Sequence, residues 1–99
     1  MSRLKTITIN EFENDFSKLE GKSVCVDIKG SINLLKVITN FNVWQDENKI
    51  TLFDHEDESE VNIKKDVIDC IVKDRHDTSL FLKNGMEVNV YGQEDVDHE

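Results

Sequence analysis

The sequence predicts a mainly β domain of the α+β kind: one N-terminal helix, then an antiparallel meander that curls into a small barrel. Three observations carry this reading. An apolar stripe of helical period occurs once, at Phe12, Phe16 and Leu19. From residue 22 onward the apolar period drops to two and recurs in about six or seven short runs. Turn-forming residues rather than linkers separate those runs, and the 99 residues contain no proline. The chain reads as a single domain, 1–99: helix 10–21, barrel 22–92 and an acidic tail 93–99.

The helix comes first. Asn10 suits the N-cap, with Glu13 three residues later as in a capping box. Glu11 and Glu13 sit where the helix dipole favours negative charge. Gly21 is the expected C′ residue, with Lys18 and Lys22 near the negative end. The aromatic stripe must cover an apolar surface elsewhere in the chain.

The strands follow. "SVCVDIK" sets Val24, Val26 and Ile28 on one face and Cys25, Asp27 and Lys29 on the other. "LLKVITNFNVW" alternates for longer. Leu35, Val37, Phe41 and Val43 share the main apolar face, with Thr39 between; Leu34, Lys36, Ile38, Asn40, Asn42 and Trp44 share the other. A strand this long must curve or break near Thr39-Asn40. "KITLFD", "EVNIKK" and "DVIDCIVKD" supply three more. "TSLFLKNGMEVNVYG" is a hairpin whose register follows from its buried face. A two-residue Asn84-Gly85 turn would set Leu80 opposite Asn89. A three-residue turn, Lys83 to Gly85 with Gly85 left-handed, sets Leu80 opposite Val88 and Leu82 opposite Met86, and is expected.

This order of helix and strands resembles the Sm-like and SH3-like small barrels. The resemblance is carried by Val24–Ile28, Leu35–Trp44, Ile50–Phe53, Val61–Ile63 and Ile68–Val72, about half the chain. It implies the barrel and, through the Sm-like side, RNA binding. The basic and aromatic loop residues of that activity have no counterpart here.

Charge opposes nucleic acid as a partner. Twenty-one acids against twelve bases give a net charge of −9, and the lysines are scattered rather than gathered on one face. Anionic membrane surfaces are disfavoured for the same reason. The first residues lack the apolar core of a secretory signal. With two cysteines 45 residues apart, the expected setting is the reducing cytoplasm.

Catalytic and metal signatures are missing. The three histidines fall in turns or the tail, none at a ligand spacing. The chain has neither a phosphate-cradling glycine loop nor a redox Cys-x-x-Cys. The acidic run "DHEDESE" fits a calcium loop at its first, third and fifth positions, but Ser59 and Lys65 stand where glycine and glutamate are needed. No enzyme activity, cofactor or metal is therefore expected.

Two groups of candidate residues remain. Trp44, Phe53, Phe81 and Tyr91 fall on the opposite parity to the main apolar set of their strands. Either the helix covers them or they anchor a partner. Asp54, Glu56, Asp57, Glu58 and Glu60 form an acidic surface, read as a solvated hairpin tip whose nearest bases are Lys49, Lys64 and Lys65. The leading expectation is a non-catalytic module acting through protein contacts, a regulator or a homo-oligomer. Imitation of nucleic acid towards a basic groove is the alternative, and Sm-like RNA binding the third.

Overall fold

A computed structural model describes residues 4–74 and 77–92. The 93–99 tail and His76 lie outside the described residues. Nine strands and one α-helix are present among them: β1 (Lys5–Ile7), α1 (Ile9–Ser17), β2 (Val24–Lys29), β3 (Leu34–Ile38), β4 (Phe41–Gln45), β5 (Lys49–Asp54), β6 (Ser59–Lys64), β7 (Ile68–Lys73), β8 (Asp77–Leu82) and β9 (Glu87–Gly92). All strand pairs are antiparallel. The strands form a six-stranded sheet, ordered β1-β7-β8-β9-β2-β3, and a three-stranded sheet, β4-β5-β6. Expected barrel closure is not found, since β3 and β4 belong to different sheets. Both sheets feed one core, which joins Val24, Val26, Leu80 and Val90 to Phe41, Ile50 and Leu52.

The helix starts earlier than expected. Thr8, not Asn10, is the N-cap: its hydroxyl accepts from the Glu11 N–H at 3.1 Å, and the Glu11 carboxylate accepts from the Thr8 N–H at 2.9 Å. Thr-x-x-Glu and Asn-x-x-Glu both occur in this stretch. The earlier box prevails because Ile7 of β1 is already anchored in the core. The Asn10 side chain accepts instead from Gln45 of β4, which also reaches Glu13; both bonds are 2.7 Å long. Gly21 is not C′ either. Lys18 caps the helix, and Gly21 stands in the turn beyond it at φ +83°, a conformation that favours glycine.

The helix stripe joins the main core instead of covering the off-parity aromatics. Phe12 and Phe16 are buried with ring centroids 4.8 Å apart, and Phe16 meets Phe41 edge-on at 6.2 Å. Lys73 of β7 fastens the other flank of the helix to Asp15 at 2.8 Å.

The run Leu34–Trp44 breaks at Thr39-Asn40, and the break changes which side chains point inward. Ile38 and Phe41 are both fully buried. In an unbroken strand, residues three apart would face opposite ways. Two intervening non-strand residues let both point to the core as the chain passes from one sheet to the other. Leu35 and Val37 therefore fall on the outer face, not on the core face expected from Phe41 and Val43.

The closing hairpin has the expected three-residue turn. Leu80 pairs with Val88, the Leu82 N–H donates to the Met86 carbonyl at 2.8 Å, and Gly85 has φ +92°.

Candidate functional site

Strand β3 is the last strand of the larger sheet and has a hydrogen-bonded neighbour on one side only. Its sequence, Leu-Leu-Lys-Val-Ile, suits a sheet interior. Its position leaves Leu34 57%, Leu35 58% and Val37 43% exposed, with Ile32 in the preceding turn at 78%. Isolated exposed leucines are ordinary. Four large aliphatics within six residues, three of them on an edge strand, are not, because such an edge is a template for another chain.

Register extends this surface inward. On the outer face Val37 pairs with Cys25, and Cys25 with Tyr91. Next to them, Leu35 pairs with Asp27, and Asp27 with Asn89. Paired residues project to one face, so Val37, Cys25 and Tyr91 form a continuous row. Burial chiefly, then the neighbouring Cys25, pushes the Tyr91 phenol above its usual pKa. Both cysteines are free thiols.

The acidic turn approaches the same edge. Lys36 of β3 reaches Asp57 at 3.5 Å, a base not among those expected to serve the run. Asp57 also accepts from the Ser59 hydroxyl at 2.6 Å and the Ser59 N–H at 3.0 Å. These bonds, and then Lys36, hold its carboxyl below the usual range. Glu58 adopts φ +61°, which is strained for a residue with a side chain.

Asp54 does not belong to that surface. It is 2% exposed. Its carboxylate accepts from the N–H groups of Thr39 (3.3 Å), Asn40 (3.2 Å) and Glu56 (2.9 Å). It thus satisfies the backbone donors freed where β3 gives way to β4. A buried carboxylate with three N–H donors is an internal cap, not a solvated charge.

The four aromatic candidates separate. Trp44 and Phe53 meet on the outer face of the small sheet with centroids 5.4 Å apart, and His55 abuts Phe53 edge-on at 4.8 Å. Asn42 and the His55 ring lie within hydrogen-bonding distance, 3.0 Å. Tyr91 belongs to the β3 row. Phe81 lies on the same sheet face as Tyr91 but further along, between Glu87 and Cys70. The Leu34–Val37 exposure was missed by sequence reasoning. The one available signal was the Thr39-Asn40 break, beyond which parity should not have been carried.

Among the described residues, no group of three His, Cys, Asp or Glu side chains is arranged to hold a metal ion. No helix among them is long and apolar enough to cross a membrane. No family model matches the chain, and neither a curated protein nor a solved structure matches it.

Proposed function

We propose that this protein is a non-catalytic binding module that engages another protein through the β3 edge and the outer-face row beside it. The observation that carries the reading is the exposure of Leu34, Leu35 and Val37 on a strand with one free side. An edge strand that stays solvated is normally short, charged or covered. This one is apolar, and docking would both bury its side chains and pair its free backbone groups. Nucleic acid is not the proposed partner, because a net charge of −9 opposes it. The free thiols suit a reducing cytoplasm, which we include in the proposal.

Capture experiments with three baits test the reading: wild type, Leu35→Lys/Val37→Lys, and Trp44→Ala. A partner held by the wild type should be kept by Trp44→Ala and lost by the double variant. Equal capture by all three defeats the proposal. Loss confined to Trp44→Ala moves the site to the Trp44–Phe53 face.

A further inference from the structure

The partner's chemistry can be narrowed from the charges around the edge, granting the protein-contact reading above. We infer that the occupant of β3 is an extended segment of a basic protein, which adds as a seventh strand and alternates apolar side chains with Lys or Arg.

Three observations select it. The backbone on the free side of β3 offers ladder positions, so the occupant must be extended. Leu35 and Val37 project to one face, so the occupant needs apolar residues at every second position. The charges flanking those leucines and valines are predominantly acidic. Asp27 is the cross-strand neighbour of Leu35. Asp57, with Glu56 and Glu58 beside it in sequence, sits at the Lys36 side chain. With apolar residues beside Leu35 and Val37, the occupant's alternate side chains fall on the other face of the ladder, the one Lys36 shares, where the acidic turn approaches. Lys36, the nearest base, is already engaged by Asp57.

A second copy of this chain fits less well. Each copy would bring a net charge of −9, and both acidic turns would meet across the junction. The two-fold register that pairs Leu35 with Val37 also sets the two Lys36 side chains opposite each other, where like charges are unfavourable.

The test is selection of a phage-displayed library of eight randomised residues on immobilised wild-type protein, counter-selected on Leu35→Lys/Val37→Lys. The enriched peptides should alternate apolar residues with Lys or Arg. A synthetic peptide of that consensus should bind the double variant at least about tenfold more weakly. Its affinity should fall several-fold between 50 and 300 mM salt, as screening predicts. A version with Glu for each Lys or Arg should not bind. Enrichment of neutral or acidic peptides that still need Leu35 and Val37 would overturn the basic partner while leaving the docking edge standing. No enrichment over the counter-selected variant would overturn both. A concentration-dependent dimer in sedimentation, abolished by the double variant, would replace the basic strand with a second copy.

Discussion

Strands β3 and β4 come from one alternating stretch, Leu34–Trp44, yet they behave oppositely. Phe41 and Val43 of β4 lie in the core against α1 and β5, whereas Leu34, Leu35 and Val37 of β3 face solvent. The exposed strand is the more apolar of the two, Leu-Leu-Lys-Val-Ile against Phe-Asn-Val-Trp-Gln, so composition does not decide which is buried. What differs is position: both strands end a sheet, but β4 has the helix packed over it. Apolar residues in this protein thus serve two ends, and the Thr39-Asn40 break held by Asp54 divides them.

The comparison can be broken from the core side first. Phe41→Ala removes a fully buried ring that Phe16 packs against. It should cost about 3–5 kcal/mol in urea unfolding, a large part of the ~5–15 kcal/mol expected for a domain of this size. Asp54→Ala comes next. It orphans the N–H groups of Thr39, Asn40 and Glu56 and should cost about 2–4 kcal/mol. A loss below about 0.5 kcal/mol would mean that the carboxylate does not hold the break.

Smaller changes sharpen the contrast. Thr8→Ala should cost about 1 kcal/mol through loss of the helix cap. At the turn, Glu58→Gly should raise stability by about 0.5–1 kcal/mol, by relieving a positive φ and one like charge. Its melting-temperature gain should shrink in high salt only by the charge contribution. On β3, Leu35→Lys/Val37→Lys should move the unfolding free energy by no more than about 1 kcal/mol.

Acid provides a separate check on the capped carboxylates. The Thr8 backbone N–H holds Glu11 below its usual pKa, those of Asn48 and Lys49 do so for Asp46, and Ser59 does so for Asp57. A folded-state pKa below the unfolded one gives stability that is present above the unfolded value and lost as pH falls through the folded value. Melting temperature should therefore drop as pH falls below about 4. Glu11→Gln, followed across the same range, should show a shallower drop, because it removes the carboxylate that the Thr8 N–H holds below its usual pKa.

Much of the fold was legible because its signals are local. The helix stripe, the period-two runs and the Lys83–Gly85 turn each follow from residues within a few positions of one another. The Gly85 turn was decided by register alone, since only one loop length put Leu80 opposite Val88. The barrel was not legible, because closure depends on whether β3 pairs with β4 or beyond, and nothing in Leu34–Ile38 specifies its neighbours. Asp54 illustrates the same limit at the site. Surrounded by acids in the sequence, it reads as a surface charge, yet the donors that bury it lie at Thr39 and Asn40, fifteen and fourteen residues away. Trp44 and Phe53 were recognised as off-parity, but that they meet while Phe81 and Tyr91 do not is a matter of register: Phe53 is opposite Asn42, two residues from Trp44, whereas Tyr91 is opposite Asp77, four residues from Phe81.

The central claim is that β3, anchored in the core only through Ile38, presents Leu35, Val37 and its free backbone side as a docking edge. Amide hydrogen exchange across Leu34–Ile38, with and without the selected basic peptide, tests it most directly. In the free protein, alternate amides of β3 should exchange quickly, because they face outward from the sheet edge. Peptide addition should slow those same amides, in the alternating pattern of a newly paired strand, and leave Trp44 and Phe53 unchanged. Uniform protection along β3 in the free protein, or protection on peptide addition confined to the Trp44–Phe53 strands, would contradict the claim.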